Sequence, residues 1–197
     1  MARRHGLTPR GVFETGKYRE VQMLLMDDDC FLPGRKRPAA ELSLRAALAS
    51  SCGNPAVLLN GIDREWQGEV NALELAAGDW AEFTWPEPAA VGEVRIVFDS
   101  DLGRDRDSSH LNMHSSYPLD RKPLTVPETL VRAFHLAYEA PDGTVHELCR
   151  VADHYQRVFR LKRKFTAVRV RLVIDALRGA VGTNRIFAFE IKAPDGI

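Results

Sequence analysis

Four aspartates lie close together in one polar segment and have side chains that suit a hard cation. They are Asp99, Asp101, Asp105 and Asp107. Carboxylate oxygens are the ligands that calcium and magnesium prefer. Arg104 and Arg106 alternate with them and neutralise the local negative charge. The pattern therefore favours a solvated loop of mixed charge over a cation site.

The histidines do not assemble into a catalytic or zinc-binding set. His110 and His114 are four residues apart, which brings two imidazoles together only on a helix, and Pro118 argues against a helix there. The other candidates, on predicted strands and without a nearby nucleophile, are His135, His146 and His154. We interpret these as structural histidines. Because no nucleophile, base pair or metal set emerges, a free-standing enzyme is the least favoured class of function.

Composition limits the class of protein. The chain has 197 residues, 45% of them hydrophobic, which suits one core rather than two domains. Lys plus Arg and Asp plus Glu number 27 each, so the total charge predicts no attraction to nucleic acid or to a membrane surface. Three widely spaced cysteines, no apolar signal-peptide core and no apolar run of about 18 residues predict a cytoplasmic protein.

One basic concentration stands out in the second half of the chain, with Phe159 and Phe165 interleaved. It comprises Arg157, Arg160, Lys162, Arg163, Lys164, Arg169 and Arg171. Aromatic residues on basic strands can bind single-stranded nucleic acid. On an alternating strand, the same pattern more commonly indicates apolar residues facing inward and charged residues facing outward.

The first 40 residues differ from the rest. Tyr18, Val21 and Leu25 share one helical face, which predicts a short amphipathic helix from about Lys17 to Asp27. We interpret residues 1–40 as an N-terminal arm that docks on another surface, since so short a helix is marginal in water.

From Leu42 onward the hydrophobic period is two, as in strands. Asn54 and Pro55 predict a capped helical turn that Gly61 closes. The predicted strands are Ser43 to Ser50, Trp80 to Trp85, Val91 to Asp99, Thr129 to Glu139, Thr144 to Ala152, Arg157 to Asp175 with a break near Lys164, and Arg185 to Ala193. The predicted core residues are Phe83, Trp85, Val94, Ile96 and Phe98. Residues 41–197 are thus expected to form an all-β antiparallel jelly-roll sandwich, with a long, polar loop from Asp99 to Pro127.

The order of these elements resembles the discoidin-like, galactose-binding-like β-sandwich. A narrower resemblance, to the C-terminal region of bacterial FAD-dependent oxidoreductases, depends on several short segments. They are Val21 to Gly34, Leu48 to Ser51, Asn60 to Arg64, Val97 to Leu102 and His154 to Arg157. In that family a separate domain binds FAD through a glycine-rich turn, and this chain has no GxGxxG. The resemblance therefore implies FAD only in a partner chain or domain.

The resemblance also implies site residues. Sandwiches of this type often hold a structural calcium near the corner turn, and the matching positions are Asn60, Gly61, Asp63 and Glu190. The alternative is a plain turn with a solvated Glu190. For a sugar site, the candidates in loops are Trp66, Asn112, Tyr117 and Arg121. Trp80 is a further candidate for stacking on a sugar, although a tryptophan at the start of a strand is as readily buried.

Two functions follow as expectations. The first is a non-catalytic module or subunit that docks on an FAD-dependent oxidoreductase and assists in recognition of its substrate, for which a carbohydrate is the candidate. The alternative is a free-standing carbohydrate-binding module of the discoidin type.

Overall fold

The computed structural model describes residues 36–101, 126–180 and 182–194, and within these ranges the chain is mostly antiparallel strand. A short helix α1 (Glu41–Leu44) is followed by strand β1 (Ala47–Ser50) and a 3₁₀ helix (Pro55–Leu59). The remaining strands are β2 (Leu73–Leu75), β3 (Trp80–Phe98), β4 (Ala133–Glu139), β5 (Val145–Val151), β6 (Val158–Ala176) and β7 (Asn184–Lys192). No helix in the described ranges is long and apolar enough to cross a membrane.

Two long strands, β3 and β6, each contribute to both layers of the sandwich. Their pairing shifts register between Thr84 and Ala89 and again between Val91 and Glu93. Proline cannot donate a backbone hydrogen bond, so Pro86 interrupts the ladder at the first shift. One layer contains β1, the first part of β3, the second part of β6, β4 and β5. The other contains β2, β7, the second part of β3 and the first part of β6.

Aromatic rings from the two layers meet in the core. The ring centroids of Phe83 on β3 and Phe189 on β7 are 4.9 Å apart. Those of Phe98 on β3 and Phe134 on β4 are 5.0 Å apart. All five predicted core residues are at most 5% exposed, which confirms that prediction. The alternating pattern succeeds here because successive strand side chains point to opposite faces.

The predicted strand from Ser43 is partly wrong, since residues 41–44 form α1 instead. The Ser43 hydroxyl donates to the Ile191 carbonyl at 3.0 Å and accepts from the Ile191 amide at 2.7 Å. This buried exchange turns Ser43 toward the sandwich and leaves Leu44 63% exposed. The two predicted strands before and after Pro86 are one strand, and β6 continues through Lys164 without a break.

The corner after β1 confirms the predicted turn chemistry. The Asn54 side chain accepts a hydrogen bond from the Ala56 amide at 3.1 Å, so it caps the 3₁₀ helix. Gly61 has φ +79°, and a Cβ at this position would lie 2.2 Å from the Arg37 carbonyl oxygen. Glycine is required because the backbone of the preceding segment crosses here.

The last residues before α1 lie against this corner. The Arg37 amide donates to the Gly61 carbonyl at 2.8 Å. The predicted helix from Lys17 to Asp27 lies outside the described residues, and the boundary of the arm at residue 40 stays a prediction.

Candidate functional site

One end of the sandwich brings together loops that are far apart in the sequence. We call it the loop end and define it as residues 62–71, 99–101, 152–157 and 177–180. Arg157 donates to the Asp63 carbonyl at 2.5 Å, and Arg178 donates to the Asp153 carboxylate at 2.8 Å. Arg185, at the start of β7, binds the Asp99 carboxylate at 2.5 Å. These arginines fix the loops to one another, and loops on a rigid scaffold commonly carry binding function.

Tyr155 is the aromatic side chain that the loop end presents most openly. It is 70% exposed, although its neighbour His154 is 4% exposed. The His154 amide donates to the Arg132 carbonyl at 2.7 Å. A buried residue directly before an exposed ring fixes the point from which that ring projects. Such a flat ring can stack on the apolar face of a sugar, and Gln156 beside it offers a polar group.

His154 is held in a pocket of aromatic rings. Its ring centroid lies 4.5 Å from that of Phe98 and 5.2 Å from that of Phe134. Nδ1 lies 3.4 Å from the Val131 carbonyl, which can only accept, so Nδ1 carries the proton. Nε2 is buried without a hydrogen-bond partner. Burial lowers the pKa of His154, partly opposed by the bond to Val131, and the positive charge of Arg178 lowers it further.

Acid is expected to destabilise the protein through His154. Below the ordinary pKa of 6.5, His154 binds a proton in the unfolded chain but not in the folded chain. The free energy of unfolding therefore falls as the pH drops through that value. The loss is at most about 1.4 kcal/mol per pH unit for this one proton. Urea unfolding at about pH 7.5 and pH 5.5 should therefore show a smaller pH effect in His154→Gln than in the wild type.

His146→Gln is the matched control, because it removes a histidine that is exposed on β5 instead of buried. An equal pH effect in His154→Gln and the wild type would contradict this assignment.

Trp66, a predicted sugar-binding residue, occupies a tight hairpin at the loop end. It exchanges two backbone hydrogen bonds with Glu69, at 3.0 and 2.9 Å. The two residues between them, Gln67 and Gly68, have φ of 51° and 85°, as a type I′ turn requires. Trp66 itself is half-buried, so part of its ring remains accessible. The other predicted members of that site, Asn112, Tyr117 and Arg121, lie outside the described residues.

Trp80 is covered on one side rather than open to a ligand. The guanidinium of Arg171 lies 4.7 Å from the centroid of its ring. Trp80 is half-buried, so the structure favours a packing role for this residue.

The polar segment after β3 is described only at its beginning. Asp99 is 3% exposed and accepts from Arg185, and its carboxylate also accepts from the Asp101 amide at 2.8 Å. Asp105, Asp107, His110 and His114 lie outside the described residues. In the ranges that are described, no three His, Cys, Asp or Glu side chains gather as metal ligands.

Of the four residues predicted to hold calcium, Asp63 and Glu190 come together, but two arginines lie between them. Gly61 contacts one of these arginines through its carbonyl. Arg37 binds Asp63 at 2.9 Å and Glu190 at 2.5 Å. Arg95, on β3, binds the same two carboxylates at 2.8 and 3.3 Å. We call Arg37, Arg95, Asp63 and Glu190 together the arginine–carboxylate cluster. Its four side chains are 0–11% exposed. The alternative of a solvated Glu190 is therefore wrong, because that residue is 1% exposed.

The charges of the cluster support one another. Burial alone would raise the pKa of Asp63, but the attraction of Arg95 and Arg37 and their hydrogen bonds outweighs it and lowers that pKa. Burial alone would lower the pKa of Arg37, but Glu190 and Asp63 raise it. Both shifts favour the charged forms of Asp63 and Arg37 in the neutral pH range.

Basic residues of β6 pair with acidic residues on the neighbouring strands. Arg169 and Arg171 bind Glu82 at 3.3 and 2.5 Å. His135 on β4 lies 2.8 Å from Asp175 on β6. These pairs suit the interpretation of charged residues facing outward.

The opposite end of the sandwich, where β3 and β6 change layers, carries two grooves. The first, of about 290 Å³, is mostly apolar and is lined by Leu42, Trp85, Pro86, Pro88, Ala89 and Ala193. The second, of about 300 Å³, is basic and is lined by Glu93, Lys162, Arg163, Lys164, Lys192 and Pro194. The grooves meet at Ala193, and we call the two together the bend-end surface.

Among known proteins, solved structures of similar fold are found, whereas sequence comparisons give no match. The sequence matches no protein-family model, and no curated protein matches it significantly. Among solved structures, the chain is similar to the family 32 carbohydrate-binding module of EndoD from Streptococcus pneumoniae. That match has a TM-score of 0.52 at 14% identity and covers 75% of this chain and 95% of the module. A fucose-binding module from the same organism, SpX-3, matches with a TM-score of 0.51 at 8% identity, over 77% of this chain and 96% of the module.

Both similar structures are matched over nearly their whole length. Identity this low carries information on the fold alone. Together with the antiparallel pairing of every strand in the described ranges, these matches show that the chain has a β-sandwich fold of the discoidin-like type.

Proposed function

We propose that the chain is a non-catalytic carbohydrate-binding module of the discoidin type, with its binding site at the loop end. One observation carries the proposal, namely the 70% exposed ring of Tyr155 beside the buried His154. An aromatic ring held rigidly in the open loses little conformational entropy when a sugar stacks on it. The two similar solved structures, one a family 32 carbohydrate-binding module and one a fucose-binding module, agree with this class of ligand.

The polar surroundings of Tyr155 fit a sugar as well. Asp153 and Gln156 flank the aromatic residue, and the Asp153 side chain is 73% exposed. Carboxylate and amide groups can accept and donate hydrogen bonds with sugar hydroxyls. An aromatic platform with a few polar groups around it is the usual composition of a small-molecule site.

A screen of the purified chain against neutral and acidic oligosaccharides tests the proposal. We expect saturable binding to at least one glycan, which the free sugar competes away and which raises the melting temperature by mass action. No binding in the screen, together with an unchanged melting temperature in concentrated sugar solutions, would contradict it.

A second candidate function is attachment to an FAD-dependent oxidoreductase chain or domain, as the narrower sequence resemblance implies. The bend-end surface favours this candidate, because an apolar groove beside a basic one has the composition of a protein interface with a polar rim. Leu44 is 63% exposed and adds apolar area beside the first groove, which is lined by its neighbours Leu42 and Arg45. The flavin would belong to the partner.

Co-purification tests the attachment. We expect the chain to elute with the product of a neighbouring oxidoreductase reading frame, and Leu44→Asp together with Lys162→Glu to weaken that association. Val145→Asp is the control, because Val145 is 68% exposed on β5 and lines neither groove. A chain that elutes alone, with no oxidoreductase frame beside its gene, would contradict this second candidate.

A further inference from the structure

The arginine–carboxylate cluster pairs two charges of each sign. Two guanidinium groups face two carboxylates, so their formal charges sum to zero. Each arginine spans both carboxylates, and each carboxylate is shared by both arginines. The planar fork of a guanidinium matches this arrangement, since its two terminal nitrogens can bind two acceptors at once.

Most of the oxygens that a calcium ion would need at this corner already accept hydrogen bonds. The Gly61 carbonyl accepts from the Arg37 amide at 2.8 Å. The Asp63 carbonyl accepts from Arg157 at 2.5 Å. The side-chain oxygen of Asn60 accepts a hydrogen bond from the Ile62 amide at 2.8 Å. Both Asp63 carboxylate oxygens and one Glu190 oxygen are bound by arginines.

These residues do not fit a structural calcium. The ion takes six to eight oxygen ligands, and it would have to displace guanidinium groups to obtain them here. With both arginines in place, it would add two positive charges to a site where two guanidinium groups already pair with two carboxylates and whose side chains are 0–11% exposed. Uncompensated charge in such a site is strongly unfavourable.

We infer that Arg37 and Arg95 take the place of a structural cation at the corner turn, so that the sandwich folds without calcium. The same contacts fasten the segment around Arg37 to the turn and to β7. Gly61 supports this role, because any larger residue there would push the Arg37 backbone away. The inference is independent of the proposed carbohydrate function.

Thermal unfolding of the full chain, with EDTA and with calcium chloride, tests the inference. We expect the same melting temperature in both, and no calcium in elemental analysis of the dialysed protein. A structural ion present at about a hundred times its Kd would raise the melting temperature by roughly 5–10 °C in a domain of this size. A rise of that size, or one bound calcium per chain, would overturn the inference.

A pair of variants tests the role of the arginine itself. Arg37→Gln should lower the melting temperature by several degrees in EDTA and in calcium alike. Arg45→Gln, the control, removes an exposed arginine eight positions later and should change it little. Equal melting temperatures for Arg37→Gln and Arg45→Gln would also overturn the inference.

Discussion

Replacing Arg95 with Met is expected to destabilise the protein by about 3–5 kcal/mol. Arg95 is fully buried, and the change leaves Asp63 and Glu190 with Arg37 as the remaining guanidinium of the cluster. The chain must then bury a net negative charge, take up a proton or open the site to water. Urea unfolding at neutral pH should show a lower midpoint with an unchanged m-value.

Two further variants make that measurement interpretable. Arg132→Met removes an exposed arginine and should change the free energy of unfolding by no more than about 0.5 kcal/mol. The double variant Arg95→Met with Glu190→Gln removes one charge of each sign, so it should be more stable than the sum of the two single effects predicts. If Arg95→Met were no less stable than Arg132→Met, the cluster would not hold the fold together.

Replacing Tyr155 with Ala is expected to weaken carbohydrate binding at least about tenfold, or ~1.4 kcal/mol, without changing the melting temperature. The ring is exposed, so its loss removes little packing from the folded chain. A titration of wild type and variant with the sugar found in the screen gives the two dissociation constants.

Tyr155→Phe separates stacking from hydrogen bonding. The phenyl ring keeps the flat apolar face, so this variant should bind nearly as well as the wild type if stacking is the main contact. Trp66→Ala then tells whether the hairpin of residues 66–69 belongs to the same site. Unchanged binding in Tyr155→Ala would place the sugar elsewhere on the chain, while the fold would stand.

The burial of the core side chains follows from the local sequence pattern. Alternation of side chains predicted the burial of Phe83, Ile96 and Phe98, because in a strand the side-chain face is decided by the position along the chain. The same reasoning failed at Leu44, where a hydrogen bond from Ser43 to the distant Ile191 selected a helical turn. Local propensity is a weak preference, and one buried long-range contact is enough to reverse it.

The candidate site was less accessible to such reasoning. Trp66 was predicted from its residue type and loop position, and the structure places it at the loop end. Tyr155 was missed, although the exposed ring follows a histidine that the sequence had marked as structural. The available signal was the change from strand alternation to a polar stretch at residues 152–157. Only the fold shows that His154 enters an aromatic pocket and thereby leaves Tyr155 outside.

By itself, the sequence determined the class of fold, the capped turn at Asn54 and the residues of the inner faces, since these depend on neighbours a few positions apart. Tertiary structure alone decided what the carboxylates at the corner bind. Glu190 and Asp63 both bind Arg37, which lies 153 positions before Glu190 and 26 positions before Asp63. No periodicity or spacing in the sequence encodes these contacts, because they form only when β3, β7 and the segment before α1 pack together in the folded chain.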